Sequence, residues 1–150
     1  EAFIVLLGSA LRGPLEAVYG QSAAGLKRGG KLFAGDLMSS GESGGTPHPP
    51  CVGPFGDSPL YSFKAHASAV ESAGFTIEAK NDLSESFMAA VRSGLLQSLN
   101  MLEELRSSDN PNKIQRIGAF AAQLESWKRM YDLAAARKIE VACILATRTK

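Results

Sequence analysis

Cysteine is scarce in this 150-residue chain: Cys51 and Cys143 are the only two. So far apart, they make no metal-binding cluster and no disulfide framework, and they read as reduced thiols of a cytoplasmic protein. Charge of one sign is lacking too. Sixteen Lys and Arg against fifteen Asp and Glu leave a formal charge of +1, which exerts no long-range pull toward nucleic acid or an anionic membrane. No apolar run approaches the roughly 20 residues needed to span a bilayer. Histidine is limited to His48 and His66. Neither belongs to a full set of metal ligands, so a metal centre is not expected, and no Ser-His-Asp arrangement stands out. Apolar residues make up 45% of the chain, which suits one globular domain with its own core.

The chain opens on Glu1 and the apolar run AFIVLL. It shows neither the basic leader nor the small-residue cleavage site of a signal peptide. A chain that begins inside a buried strand is expected to be part of a longer one.

Ala2–Leu7 is continuously apolar, which predicts a strand covered on both faces, as in a parallel sheet. Gly8 and Ser9 end it. Pro14 suits the first turn of a helix, along which Leu15, Val18, Tyr19, Ser22 and Leu26 follow at helical spacing. Gly29 and Gly30 break that helix before a short strand at Lys31–Ala34, ended by Gly35 and Asp36. Strand, helix and strand within about 35 residues form one βαβ unit. Ser39–Pro59 is rich in Ser, Gly and Pro and reads as a long loop, taken to be mobile or functional. A helix from about Ser62 to Ala73 follows, with Gly74 at the left-handed cap, then a strand at Thr76–Ala79. Asp82 and Glu85 have capping-box spacing, so a helix is expected from Leu83. Its stripe is Phe87, Val91, Leu95, Leu99, Leu102 and Leu105. Pro111 marks the first turn of another helix, with Ile114, Ile117, Phe120, Leu124, Trp127 and Tyr131 on one face. Lys138–Thr147 closes the chain as a strand rich in β-branched residues.

The residues with chemical potential gather at predicted strand ends and in the long loop. Gly8 and Ser9 lie at the carboxyl end of the first strand, where small residues let a ligand approach the backbone. Asp36 lies at the same edge, where open α/β sheets bind ligands. It is either a solvated loop acid or a substrate contact. His48 is placed to orient an acceptor or act as a base, or is plain surface. His66, inside a helix, is expected to be structural. Trp127 and Tyr131, four apart, share a face that either packs in the core or lines a substrate pocket. Gly29–Gly30 follow a helix and precede a strand, the reverse of a phosphate-binding loop, and so read as a plain turn.

GLKRGGKLFAGDL at Gly25–Leu37 resembles the stretch of class I S-adenosylmethionine-dependent methyltransferases that reads helix, "L-K-P-G-G-K/R-L", strand, "D-L"; Arg28 stands where that family usually has proline. YSFKAHASAVESAGFTIEAKNDLSESF resembles the next helix and strand of that family. ARKIEVACILATRTK resembles its last, antiparallel strand. The order of elements agrees along the whole chain.

The resemblance implies the C-terminal half of a Rossmann-like, three-layer α/β fold. Residues 1–150 would form one domain with a mixed sheet of about four strands, a loop at 39–60 and a helical insertion at 83–136 covering the acceptor. It implies S-adenosylmethionine as cofactor, with Gly8 and Ser9 on the cofactor side. Asp36, His48, Trp127 and Tyr131 would face a small-molecule acceptor. The glycine-rich loop and second-strand acid that hold most of the cofactor in such enzymes are not among these residues, so this chain alone is expected to be inactive. Other readings are a non-catalytic interaction domain and another Rossmann-like nucleotide enzyme, such as a reductase. An open first strand predicts a homodimer joined edge to edge.

Overall fold

The computed structural model describes residues 2–7, 13–40, 60–109 and 111–150. The described elements are, in order, β1 (Phe3–Leu7), α1 (Leu15–Gly25), β2 (Lys31–Ser39), α2 (Phe63–Ser72), β3 (Phe75–Asp82), α3 (Ser84–Ser107), α4 (Lys113–Ala135) and β4 (Ile139–Arg148). They form a four-stranded sheet in the order β1-β2-β4-β3. β1 and β2 run parallel, while β4 is antiparallel to both of its neighbours. This is the mixed α/β sheet expected from the sequence, with the last strand inserted at its centre.

β2 is longer than its sequence predicts. Gly35 and Asp36 do not end it. The ladder to β4 continues from Lys31↔Thr147 to Ser39↔Ile139, because β4 offers a partner to each residue in turn. Side chains alternate across the two faces of such a strand. Leu32, Ala34 and Met38 therefore join one core with Ala142, Ile144 and Ala146 of β4, under Leu15, Tyr19 and Leu26 of α1 and Ala69 and Val70 of α2. Leu37 faces the other way, into a smaller core with Ile139, Met130, Ala134 and Phe87 beneath α3 and α4.

Local signals at the turns behave as expected. Gly29 sits at φ +83° and Gly74 at +89°, conformations that cost a side-chain-bearing residue about 1 kcal/mol or more. Leu15, Tyr19, Ser22 and Leu26 are buried and Val18 half-buried, and Ser62 caps α2 by accepting from the Ala65 N–H at 3.2 Å. The Arg148 guanidinium donates to the carbonyls of Ala23 and Leu26 at the end of α1, where a cation and a donor are both favourable. The end of β4 thus fastens the first helix.

Several expectations need correction. β1 is covered on one face only. Ile4 packs on the core, yet Phe3 is 65% and Val5 59% exposed, because no described element lies over that face of this edge strand. The capping box at Asp82 is offset: α3 starts at Ser84, and Asp82 Oδ1 accepts from the Ser84 N–H at 2.9 Å. β3 runs through to Asp82 with a bulge between Ile77 and Ala79. α4 starts at Lys113, two residues beyond Pro111, and Ile114 is 81% exposed. Leu99 is exposed as well. Among the described residues, α3 and α4 pack mainly on each other and only lightly on β4. The predicted loop 39–59 lies outside the described residues except for Ser39 and Ser40, and Ser39 belongs to β2.

Ile144 and Ile114 make a direct comparison of these environments. Ile144→Ala is expected to cost about 3 kcal/mol in urea unfolding, as for a filled core site. Ile114→Ala should stay within about 0.5 kcal/mol. Equal costs would contradict the core described.

Candidate functional site

Alternation along β2 decides what Asp36 does. Positions 32, 34, 36 and 38 share the face under α1 and α2, so Asp36 is the one acid of β2 and points among core residues. Its side chain is 18% exposed. Oδ1 accepts from the Leu37 N–H at 2.7 Å, and Oδ2 lies 4.0 Å from His66 Nε2. Asp36 is therefore neither a loop residue nor fully solvated.

His66 of α2 is fully buried. Its Nδ1 is 2.8 Å from the Tyr19 hydroxyl of α1, and its Nε2 has no hydrogen-bond partner among the described residues. Tyr19 and Tyr61 both meet the imidazole edge-on, with ring centroids 6.1 Å away. Burial lowers the His66 pKa to about 4, so the ring is neutral at pH 7. Burial first, and then the Asp36 charge, raise the Tyr19 pKa and keep the phenol protonated.

These facts set the tautomer. Were Nδ1 to carry the proton, the Nε2 lone pair would face the Asp36 carboxylate. With the Tyr19 hydroxyl donating to Nδ1, the proton sits on Nε2 and faces Oδ2 instead, which is electrostatically favourable. Nearby, Ser39 Oγ is also buried without a partner among the described residues, and the Ser39 N–H donates to the Tyr61 carbonyl at 3.0 Å.

A second feature lies between α3 and α4. Phe87, Val91, Leu95 and Ser98 face Leu124 and Trp127 across a cleft of about 330 Å³, a volume at the lower end for small-molecule pockets. The lining side chains are mostly apolar, with the Ser98 hydroxyl and the Trp127 indole as the exceptions. Trp127 lines this cleft, whereas Tyr131, one turn on and half-buried, is not part of the lining. Gly8, Ser9 and His48 lie outside the described residues. Of the predicted site residues, Asp36 and Trp127 are thus found in built surroundings, on separate features. The sequence reading missed Tyr19 as a polar partner and took His66 as structural only. The signal available was the alternation that puts Asp36 on the buried face. Among the described residues there is no cluster of metal-ligating side chains and no helix long and apolar enough to cross a membrane.

No family model matches the chain, and none of the curated proteins does. Solved structures do. The cyclopropane synthase MmaA2 from Mycobacterium tuberculosis is similar over 98% of this chain and 55% of its own, with a TM-score of 0.79 and 12% identity. The geranyl diphosphate C-methyltransferase from Streptomyces coelicolor A3(2), in complex with Mg2+, geranyl diphosphate and S-adenosyl-L-homocysteine, is similar over 99% and 47%, at 0.66 and 13%. The chain has the fold of one half of a Rossmann-like methyltransferase. It spans about half the length of the solved structures it matches. The [4+2]-cyclase SpnF shares this methyltransferase fold over 98% of the chain, with a TM-score of 0.67 and 15% identity.

Because His66 is held neutral, acid should destabilise this methyltransferase-like half. The unfolded chain takes up a proton near pH 6.5, while the folded one resists until about pH 4. Stability rises with pH wherever the unfolded state binds more protons. The contribution is therefore complete above pH 6.5 and lost as pH falls toward 4, by about 2 kcal/mol at pH 5. Urea unfolding of the chain and of His66→Phe at pH 7.5 and 5 checks this: the substitution should remove most of that difference. An equal pH dependence in both would refute it.

Proposed function

We propose that a protein containing this chain transfers a methyl group from S-adenosylmethionine to a small-molecule acceptor, and that this chain is its C-terminal, acceptor-side half. The observation that carries the reading is the match of fold along nearly the whole chain to enzymes such as the geranyl diphosphate C-methyltransferase, solved with S-adenosyl-L-homocysteine. The ordered resemblance from Gly25 to Leu37 and through the last strand supports it. Asp36, near the carboxyl end of β2, is one candidate acceptor contact; the α3–α4 cleft, with Trp127 as its aromatic wall, is a separate candidate on the other face of the sheet.

The described residues do not by themselves fit the cofactor. Among them no glycine-rich turn leads from a strand into a helix, and the one acid of β2 is already engaged with the Leu37 N–H and facing His66. Gly8 and Ser9 remain candidates for that side of the site. What the chain offers is placement of an acceptor. Alignment of reacting groups supplies on the order of 7–11 kcal/mol in well-oriented reactions, so a dedicated acid or base is not required. SpnF favours a second reading, since the same fold is found in a [4+2]-cyclase; a fold does not fix a reaction.

Calorimetry and a transfer assay test the proposal together. The isolated chain should bind S-adenosylmethionine with a Kd above about 10 μM, roughly −7 kcal/mol. The longer protein should bind more tightly and pass label from methyl-labelled S-adenosylmethionine to a pool of small molecules. Micromolar binding by the isolated chain would overturn the division of the site, and absence of transfer by the longer protein would overturn the reaction.

The open edge of β1 carries a further part of the proposal. With Phe3 and Val5 exposed and, among the described strands, paired to β2 alone, the isolated chain should form a homodimer along that edge. Sedimentation at tens of micromolar is expected to show the dimer, and Val5→Lys to weaken it. A stable monomer of the unchanged chain would refute this.

A further inference from the structure

α3 carries more apolar surface than α4 covers. Phe87, Val91, Leu95 and Ser98 face α4 across the cleft. At 3.6 residues per turn, Arg92, Leu96, Leu99 and Glu103 form a second stripe, centred about 115° further round the helix. Leu96 is 60% and Leu99 55% exposed, and Arg92 and Glu103 are exposed beside them. The spacing of four, three and four is that of the seam positions of a coiled coil, so these side chains lie in one line about 16 Å long. The pattern along that line is cation, leucine, leucine, anion. Laid parallel on a copy of itself, it sets Arg92 against Arg92 and Glu103 against Glu103. Laid antiparallel, it sets each leucine on a leucine and each charge on its opposite. Glu103 also lies 3.8 Å from Arg106 one turn on, an exposed contact of little energy that leaves the carboxylate room for a second cation.

We propose that this stripe is a self-association surface, on which a second copy of the chain lays its own α3 antiparallel about a two-fold axis between Leu96 and Leu99. Leu96 packs on the partner's Leu99, and Arg92 meets the partner's Glu103 at each end of the contact. A two-fold interface requires one patch to be complementary to itself, and the order of charges along α3 meets that requirement in the antiparallel sense alone. On one flank lie Leu95 and Leu102, which α4 leaves half-buried, and on the other the short polar side chains of Ser93 and Asn100. Because Leu95 also lines the α3–α4 cleft, the partner helix borders that cleft. Four positions on one helix make a contact at the low end of specific interfaces, below roughly 1,200 Å² in total, so the association is weak, with a Kd on the order of hundreds of micromolar. It does not depend on the reaction proposed above. It is also distinct from pairing along β1, with which it would build species larger than a dimer.

Sedimentation of the chain carrying Val5→Lys, which disfavours pairing along β1, isolates this contact. Up to several hundred micromolar it is expected to show a reversible monomer–dimer equilibrium. Adding Leu96→Glu, which places a charge in both leucine layers, should weaken the dimer at least tenfold. Arg92→Glu and Glu103→Arg should each weaken it about fivefold, since either change sets like charges together at both ends of the contact. The two charge changes in one chain restore opposite pairs and should return the affinity to within about twofold of the starting chain. All four positions are exposed, so circular dichroism should show unchanged helix content, and where Leu96→Glu does not fold the charge series provides the same comparison. A monomer at every concentration, as when another part of the longer protein occupies the stripe, would overturn the proposal. So would a dimer indifferent to Leu96→Glu, or a double charge exchange no tighter than the single ones.

Discussion

β4 is the last element of the chain and lies at the centre of the sheet. It pairs with β2 on one side and β3 on the other, so neither the β1–β2 unit nor the α2–β3 unit belongs to a common sheet until the C-terminal strand arrives. Its composition fits that position. Ala142, Cys143, Ile144 and Ala146 are all buried, and small or β-branched residues allow helices to pack closely on both faces. The same strand lengthens β2, anchors the start of α3 through the Leu83 N–H to the Val141 carbonyl at 2.7 Å, and reaches back through Arg148 to close α1.

The extended ladder has a direct chemical consequence. Had β2 ended at Ala34, Asp36 would stand in a solvated loop. Because β4 carries the strand on to Ser39, strict alternation turns Asp36 toward the core, where a bare carboxylate is costly. The buried Tyr19–His66 pair supplies a dipole and an N–H directed at it. Sheet register and site electrostatics are here the same fact seen at two scales.

The two faces of the sheet differ in how well they are filled. Beneath α1 and α2 the core is continuous from Leu15 to Ala146. On the opposite face α3 and α4 reach only the region of Leu37 and Ile139, and Phe3 and Val5 stand uncovered. An uncovered apolar strand face on a fold that spans about half of its structural neighbours is consistent with the proposed role as one part of a larger catalytic unit.

Much of this was legible in the sequence because it is local. The helical spacing from Leu15 to Leu26, the turn at Gly29–Gly30, the left-handed cap at Gly74 and the apolar last strand depend on neighbours a few residues away, and propensity and periodicity report such neighbours. The end of β2, the exposed face of β1 and the partners of Asp36 were not legible. Each depends on an element distant in sequence: β4 for the strand end, an uncovered sheet face for Phe3, and His66 and Tyr19 for Asp36. Glycine and aspartate read as a strand terminator until a partner strand more than 100 residues later satisfies their backbone groups. Sequence alone determined the elements and their order; tertiary structure decided which face of β2 carries its acid and what that acid meets, because hydrogen-bond partners across a sheet are set by assembly and not by adjacency.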